Sequence, residues 1–334
     1  MRALSITAPG GTDVLKVIKL PDPTPGPGQV LIENRAVGIN FVETLIRRGR
    51  IPPALAHSFP LVPGQEGSGV VQAAGEGVEG LKVGTRVMWM DDPFEAHGYA
   101  ELSLVRASNV VQIADNVSFE LAACTPVTYG TAHNQLYNLY GRAERQGRWA
   151  LIRNGAGGAG TALLETAKGA GMRTIAVVTS AKVEYARAHG ADAVIEDKSG
   201  NLVEQVREIT GAGGVALALN PLGGDTLLED IQMLGPMGHL ILYGLIIGMP
   251  TGDVWGALMQ KIVSGLSFSV ASIDAYMRNF PVQFRELLVE LARRLASGAI
   301  KPSIFEVIPL EQGARAHEML ESGASTGKLV FRFD

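Results

Sequence analysis

The segment WALIRNGAGGAGTALLETAKGAG, residues 149–171, decides the fold. A short apolar run, WALIR, is followed at once by a glycine-rich turn and then by a stretch with helical spacing of its apolar residues. Within the turn, the residues from Gly155 to Gly160 fit the pattern G-x-G-x-x-G. The position of this pattern, directly after a predicted strand and directly before a predicted helix, makes it informative.

These glycines have a physical reason to be there. They permit a tight turn and a close approach of the main chain to a pyrophosphate, and the helix N-terminus offers unpaired N–H groups to phosphates. The segment therefore predicts a dinucleotide site rather than an ordinary glycine-rich turn. Its predicted binding residues are Gly155, Gly157, Gly158, Ala159 and Gly160.

Beyond the turn, apolar runs typical of strands alternate with stretches of helical spacing. The predicted strands are RTIAVV (173–178), DAVI (192–195), GVALAL (214–219) and HLILYG (239–244). Such alternation indicates βαβ units with right-handed crossovers. The fold class is therefore α/β, with a doubly wound parallel sheet.

The end of the second predicted strand indicates which dinucleotide binds. An NAD site usually has Asp or Glu about 20 residues beyond the glycine turn, where it accepts from the ribose 2′-OH. Here that place holds Thr179, Ser180 and Lys182, and Glu184 is the first carboxylate. Two hydroxyls and a cation suit a 2′-phosphate, so we predict NADP(H). A solvated lysine on a surface helix is the alternative for Lys182.

The first 120 residues follow a different pattern. Short runs with alternating apolar residues, such as VLIENRAVGI (30–39) and TRVMWM (85–90), are separated by Pro and Gly clusters, which predicts a β-rich domain with little helix. A helix is predicted to begin at Asn40, because Glu43 three residues later completes a capping-box spacing.

Composition excludes several classes of function. The formal net charge is −4 without runs of like charge, which argues against nucleic-acid binding. Cys124 is the sole cysteine, so no internal disulfide or cysteine-based metal cluster can form, and a reducing, cytoplasmic location is expected. The apolar run from Leu234 to Pro250 contains Pro236 and His239, which favours a buried strand over a membrane span.

The order of motifs along the chain resembles that of one superfamily. The β-rich region is followed by GINFVETLIRRGRIPP (38–53), PGQEGSGVV (63–71), GYAE (98–101), TPVTYGTAH (125–133), the glycine turn, LGG (222–224) and TGKLVF (326–331). Together these motifs resemble the medium-chain dehydrogenase/reductase (MDR) superfamily, and in particular its zinc-free quinone oxidoreductase branch.

The resemblance implies a domain organisation and a partner. A GroES-like catalytic domain would comprise residues 1–122 and 272–334, with a Rossmann NADP-binding domain, residues 123–271, inserted between its two parts. A second copy of the chain is implied as well, in a homodimer whose edge strands near Leu266 to Val270 continue one sheet across a twofold axis.

The resemblance also bears on zinc. Zinc-dependent members of the superfamily have a Cys and a His ligand where this chain has Asn40 and Gln65. Zinc prefers thiolate, imidazole and carboxylate ligands to amides, so the expected reaction does not use a metal.

The remaining site residues are implied by the resemblance. Asn40 and Thr131 are expected beside the nicotinamide and the substrate, with helix capping and a backbone-bonded hydroxyl as their structural alternatives. Ile51 stands where many relatives have a Tyr, so the proton donor stays open among several candidates. Those candidates are Tyr129, His133, His97 and Tyr243.

Further residues complete the expected site. Glu66 is expected to hold loops in place by bonding to the backbone or to an Arg. Asn220 and Gly244 end successive parallel strands on the ligand-binding side of such sheets, and the predicted cofactor contacts also include Tyr243, Phe268, Val270 and Lys328. A plain surface lysine is the alternative for Lys328.

Three hypotheses of function follow. The first is an NADPH-dependent reductase of a quinone or a similar conjugated carbonyl, since a conjugated acceptor needs no Lewis acid. The second is a reductase of activated C=C bonds in enones, acrylates or 2-enoyl thioesters. The third is a protein that binds NADPH as a scaffold or sensor without catalysis. An apolar small-molecule acceptor is favoured, because the predicted pocket loops are rich in apolar residues.

Overall fold

A computed structural model describes residues 1–51, 58–197 and 200–333, without the side chain of Ala212. Pro52 and Pro53, which end the GINFVETLIRRGRIPP motif, lie outside the described residues. The chain divides into two compact units: unit 1 comprises Met1–Gly130 and Tyr276–Asp334, and unit 2 comprises Thr131–Ala275. The functional domain boundaries at 122/123 and 271/272 stay a prediction.

The elements of unit 1 come from the first and last parts of the chain, and those of unit 2 come from the middle. The strands are β1 (Arg2–Ile6), β2 (Leu15–Lys19), β3 (Gln29–Ile39), β4 (Glu66–Ala74), β5 (Arg86–Met90), β6 (Leu102–Arg106), β7 (Val110–Gln112), β8 (Trp149–Arg153), β9 (Arg173–Val178), β10 (Ala193–Glu196), β11 (Val215–Asn220), β12 (Leu234–Leu242), β13 (Ser267–Val270), β14 (Ile304–Pro309) and β15 (Lys328–Arg332). The α-helices are α1 (Phe41–Arg47), α2 (Phe119–Ala123), α3 (Thr125–His133), α4 (Gly158–Gly169), α5 (Val183–Ala188), α6 (Leu202–Thr210), α7 (Thr226–Met233), α8 (Val254–Gln260), α9 (Ile273–Asn279), α10 (Pro281–Ala296) and α11 (Gly313–Glu321).

Unit 1 is organised by a mainly antiparallel sheet in the order β14-β15-β3-β4-β5-β7, with β6 also paired to β3. The last strand, β15, runs antiparallel to β3 with Leu329 opposite Ile39. This register brings Lys328, at the start of β15, next to Asn40, which directly follows β3. Residues from the two ends of the sequence therefore meet at one place in this sheet.

The core of unit 1 forms between this sheet and its short helices. Trp89 on β5 is fully buried, and its indole N–H donates to Asn34 Oδ1 at 3.2 Å, so the polar edge of the ring has a partner. Around it pack alternate apolar residues of the strands, as the period of two requires.

Unit 2 contains a parallel sheet in the order β10-β9-β8-β11-β12-β13. Counted from β8, this is the order 3-2-1-4-5-6 of a doubly wound dinucleotide-binding sheet. The strand order reverses between β8 and β11, so the carboxyl ends of these two strands border the crevice where such sheets bind ligands. The predicted fold class, with a β-rich part and a doubly wound parallel sheet, is confirmed.

Unit 2 also contains an irregular helix. Residues Asn134–Leu139, which follow α3, form a short π-helix that the sequence did not predict.

None of the helices in the described part of the chain combines the length and the hydropathy that crossing a membrane requires.

Candidate active site and dinucleotide site

The glycine-rich turn follows β8 and leads into α4, as predicted. Asn154 opens the turn in the left-handed region, with φ +52°, and its carbonyl accepts from the N–H of Gly157 at 3.0 Å. Gly157 is the N-cap of α4, and the first helical hydrogen bond runs from the Thr161 N–H to its carbonyl at 2.8 Å. The N–H groups ahead of that bond have no helical acceptor, so they present an anion-binding N-terminus.

Close packing within the protein requires two of the glycines. A Cβ on Gly155 would lie 2.9 Å from the Cβ of Ala176 on β9, and a Cβ on Gly160 would lie 2.2 Å from the carbonyl oxygen of Asn154. The turn is thus held tightly between the strand and the helix. This geometry fits a bound pyrophosphate, which needs the main chain of the turn unobstructed by side chains.

Asn220, at the end of β11, organises the turn that follows it. Its Oδ1 accepts from the N–H groups of Leu222 and Gly223 at 2.7 and 3.0 Å, and its Nδ2 donates to Asp230 Oδ2 at 2.5 Å. Asp230 also accepts from Arg153 Nε at 2.7 Å. The Asn220 amide thus shapes this turn through bonds within the protein, and its predicted direct contact with the coenzyme stays a prediction.

The predicted 2′-phosphate subsite lies at the carboxyl end of β9. Thr179 and Ser180 are exposed there, whereas Lys182 is only 9% exposed, and this burial lowers the pKa of Lys182. Ser180 Oγ donates to Glu196 Oε2 at 2.5 Å. Glu196 was missed by the sequence analysis, because it belongs to the next strand, β10, and no local motif marks it.

The other predicted cofactor residues of unit 2 lie along β12 and β13. The N–H of Tyr243 donates to the Asn220 carbonyl at 2.9 Å, and burial raises the pKa of the Tyr243 phenol. A Cβ on Gly244 would lie 2.6 Å from the carbonyl oxygen of Pro221, so the two turns approach closely. Phe268 and Val270 are on β13, which pairs with β12 on one side only among the described strands.

In unit 1 the structure brings two predicted residues together. Lys328 is buried, not a surface lysine, and its Nζ donates to three acceptors: the Ile39 carbonyl at 2.9 Å, Asn40 Oδ1 at 2.6 Å and Glu66 Oε1 at 2.7 Å. The ammonium therefore has its three donors satisfied. Lys328 holds the Asn40 carboxamide by its oxygen, while the Nδ2 group donates at long distance to the Gly38 carbonyl, 3.4 Å, and to Glu43 Oε1, 3.5 Å.

Glu66 is the second anchor of this cluster. It is fully buried, and its Oε2 accepts from the N–H of Val127 in the first turn of α3 at 2.8 Å. Thr131, also buried, lies one turn further along α3. The carboxylate thus connects Lys328 to the first turn of α3, which belongs to unit 1. The expected backbone bond of Glu66 is present, with a lysine rather than an arginine as its cationic partner.

Close contacts around Glu66 exclude a side chain at Gly38. A Cβ there would lie 2.5 Å from Glu66 Oε1 and 2.6 Å from the Ala123 carbonyl oxygen. The glycine of the GIN motif is thereby explained by the space that Glu66 occupies.

Asn40 is also the N-cap of α1, and the predicted capping box is present. Glu43 Oε2 accepts from the Asn40 N–H at 2.6 Å. Glu43 is fully buried, and this burial raises its pKa to about 8, although the nearby Lys328 acts in the opposite direction. One buried lysine therefore faces two buried carboxyl groups, Glu43 and Glu66.

A second buried polar chain packs α1 against α11. Arg47 Nε donates to His317 Nδ1 at 3.2 Å, and His317 Nε2 is 3.3 Å from the Tyr99 hydroxyl. Because Nδ1 accepts, the neutral ring carries its proton on Nε2 and donates it to Tyr99. Arg47 also pairs with Glu321. Burial, with the Arg47 charge, lowers the pKa of His317 to about 3, so the ring stays neutral.

The candidate proton donors are dispersed. His97 Nδ1 donates to the Val62 carbonyl at 3.2 Å, the His133 ring packs against Tyr137 with centroids 4.9 Å apart, and Tyr129 is buried. Ile51 packs against the apolar core of unit 1. None of these placements singles out a proton donor.

Gln65, at a place where zinc-dependent relatives have a ligand, is buried and has no hydrogen-bond partner for Oε1 within the described structure. Within residues 1–51, 58–197 and 200–333, no group of three His, Cys, Asp or Glu side chains is arranged to hold a metal ion. Zinc independence stays a prediction.

Known proteins match both parts of the chain. A family model described as "Alcohol dehydrogenase GroES-like domain" matches residues 26–115, and one described as "Zinc-binding dehydrogenase" matches residues 189–331. A quinone oxidoreductase of Salmonella typhimurium is 33% identical over 321 residues, which cover 95% of this chain and 95% of that protein.

Solved structures agree with these matches. Escherichia coli quinone oxidoreductase complexed with NADPH has a TM-score of 0.91 and 30% identity, with 100% of both chains covered. CurK enoyl reductase has a TM-score of 0.89 and 25% identity, covering 100% of this chain and 99% of that one. By sequence identity over nearly its full length, this chain belongs to the quinone oxidoreductase branch of the medium-chain dehydrogenase/reductase superfamily.

Proposed function

We propose that this protein is an NADPH-dependent, zinc-independent oxidoreductase that reduces a quinone or a similar conjugated carbonyl compound. The observation that carries the proposal is the glycine turn at the reversal of strand order in unit 2, in a chain of the quinone oxidoreductase branch. The NADPH in the related Escherichia coli structure supports the choice of coenzyme.

The residues of unit 2 fit such a coenzyme. The N-terminus of α4 would hold the pyrophosphate through Gly158, Ala159 and Gly160, and Thr179, Ser180 and Lys182 would surround the 2′-phosphate. Tyr243, Gly244, Phe268 and Val270 would border the nicotinamide half. When bound, NADPH supplies the hydride.

Asn40 of unit 1 and Thr131, the first residue of unit 2, would act on the acceptor. Lys328 fixes the oxygen of the Asn40 carboxamide at 2.6 Å, and the Nδ2 group makes only long hydrogen bonds within the protein, at 3.4 and 3.5 Å. Nδ2 is therefore proposed to donate to developing negative charge on an acceptor oxygen when substrate is bound. Thr131 is proposed as a second polar contact. A quinone can take its proton from water, so the replacement of the family Tyr by Ile51 is compatible with quinone reduction.

The same contacts argue against a catalytic zinc ion. Asn40 Oδ1, the atom of this amide that a metal could use, accepts from the Lys328 ammonium. A cation that is already in place and hydrogen-bonded repels a second cation. We therefore propose that electrophilic acceptors, which need no Lewis acid, are the substrates.

Reduction of activated C=C bonds is the second candidate. The similarity to CurK enoyl reductase favours it, because that structure shares the full length of this chain. Hydride addition to an enone and to a quinone both place negative charge on a conjugated oxygen, so one set of donors could serve either substrate.

A homodimer is proposed as well. Unit 2 exposes large apolar side chains near its edge strand β13, where Val263 is 96% exposed and Val270 is 74% exposed. An apolar patch on a sheet edge fits association with a second copy of the chain. Sedimentation measurements on the Val270→Lys variant should show a shift from dimer to monomer.

Parallel assays distinguish the candidate functions. NADPH oxidation is followed with a quinone, an enone and an acyl thioester, before and after treatment with a zinc chelator. We expect the fastest turnover with the quinone and no loss on chelation. Turnover confined to C=C substrates would support the second candidate. Tight NADPH binding without oxidation of any acceptor would support a scaffold or sensor.

A further inference from the structure

The proposed subsite for the 2′-phosphate of NADPH includes a carboxylate that does not belong to the segment after β9. Glu196 ends β10, which lies parallel to β9 with Glu196 opposite Val178. Because Thr179 to Lys182 directly follow β9, the carboxyl ends of the two strands place Glu196 and Ser180 at the same edge of the sheet. Ser180 Oγ donates to Glu196 Oε2 at 2.5 Å.

This contact changes what the subsite offers to a coenzyme. The Ser180 hydroxyl gives its proton to an anion of the protein, so it is not available to a 2′-phosphate until that bond breaks. The carboxylate also repels a phosphate, whereas it can accept from the 2′-OH of NADH. Lys182 favours the phosphate, so Lys182 and Glu196 act in opposite directions.

We propose that Glu196 is a specificity-determining residue that reduces the preference of this site for NADPH over NADH. The proposal rests on the proposed function, because it concerns the coenzyme of the same reaction. It implies that the wild-type protein binds both coenzymes and that the charge at Glu196 sets the ratio of their affinities.

The size of the effect follows from the charges. A carboxylate beside a phosphate of charge near −2, in a solvent-exposed and salt-screened site, changes affinity by roughly three- to tenfold. The effect should grow at low ionic strength, because screening is weaker there. A purely structural role of Glu196 would not respond to salt.

The test is a titration of NADPH and NADH into wild-type protein and the Glu196→Gln variant, at low and high salt. Glutamine can still accept from Ser180, so this change removes the charge while keeping the hydrogen bond. The ratio of NADPH affinity to NADH affinity should rise roughly three- to tenfold at low salt and less at high salt.

Glu184→Gln provides the matched control. Glu184 lies nearby in α5, its side chain is 84% exposed, and it pairs with Arg187, so its replacement makes the same change in net charge. The affinity ratio of this control should stay within about twofold of wild type, because the charge is screened by solvent.

Two outcomes overturn the inference. If Glu196→Gln binds both coenzymes with the wild-type ratio at both salt concentrations, Glu196 does not set specificity, while the proposed function stands. If the wild-type protein binds neither coenzyme, the proposed function fails and the inference fails with it.

Discussion

Lys328 and Glu66 form a buried ion pair, Nζ to Oε1 2.7 Å, that joins the last strand of the chain to the start of β4. The same ammonium holds the side-chain oxygen of Asn40, and the same carboxylate holds the first turn of α3. One pair thus positions two elements of the proposed active site, which are far apart in the sequence.

Removal of one partner should be strongly destabilising. In Lys328→Met, Glu66 loses its buried counter-ion, and a loss of about 3–5 kcal/mol is expected because an uncompensated buried charge remains. The double variant Lys328→Met/Glu66→Gln should recover part of the loss. Urea unfolding of the single and double variants measures this. Equal stability of wild type and Lys328→Met would show that the pair is not buried as described.

The Asn40 amide is expected to stabilise the transition state rather than bind the coenzyme. Asn40→Ala should lower kcat with a quinone by roughly 100-fold, which is typical of removing one oriented donor. NADPH affinity should change by less than about threefold, because the proposed contacts to the pyrophosphate and the 2′-phosphate lie in unit 2. Steady-state kinetics with NADPH titrations check both points. A variant that loses NADPH affinity but keeps kcat would contradict this role.

Gly160→Ala tests the glycine turn. The added Cβ would lie 2.2 Å from the Asn154 carbonyl oxygen, so the turn must shift and NADPH affinity should fall at least about tenfold. Gly169→Ala, at the end of the same helix, is the control, since a Cβ there meets nothing within 4 Å. The control should bind normally and be more stable by up to about 1 kcal/mol. Equal NADPH affinity of the two variants would argue against NADPH binding at this turn.

Glu43 gives unit 1 a specific dependence on pH. Its folded pKa is raised from 4.5 to about 8, so between these values the folded state keeps a proton that the unfolded state has lost. Its contribution to stability is therefore full below pH 4.5 and is lost as pH rises through 8. The pKa of His317 is lowered from 6.5 to about 3, so its contribution makes stability fall as pH drops below 6.5, opposite to the effect of Glu43. Between pH 6.5 and 8, His317 does not oppose the effect of Glu43.

Within that window Glu43→Gln should flatten the pH profile. Glutamine stays neutral and can still accept from the Asn40 N–H, so the fall in stability, at most about 2 kcal/mol, should disappear. Urea unfolding of both proteins at the two ends of the window measures this difference. Parallel profiles for wild type and variant would mean that Glu43 does not titrate there.

The sequence predicted those features whose cause is local. WALIR and RTIAVV became β8 and β9 at the predicted residues, because a period-free apolar run bounded by turns is typical of a buried parallel strand. The capping box at Asn40 and Glu43 was predictable from a spacing of three residues. The glycine turn was predictable because its neighbours along the chain define it.

Features that depend on contacts between distant segments were not predicted. Arg47 bonds to His317 and Lys328 to Asn40 only because β15 pairs with β3 and α11 packs on α1. Glu196 reaches Ser180 through strand pairing, whereas the segment that directly follows β9 contains no carboxylate before Glu184. The alternative of a surface position for Lys328 was wrong for the same reason.

The central claim is that unit 2 binds a reduced nicotinamide dinucleotide through the turn at Gly155 to Gly160. Calorimetric titration of NADPH into the wild-type protein tests it most directly. We expect a single saturable site per chain, whose affinity falls in Gly160→Ala and is kept in Gly169→Ala. No heat of binding at any NADPH concentration, in a protein shown to be folded, would contradict it.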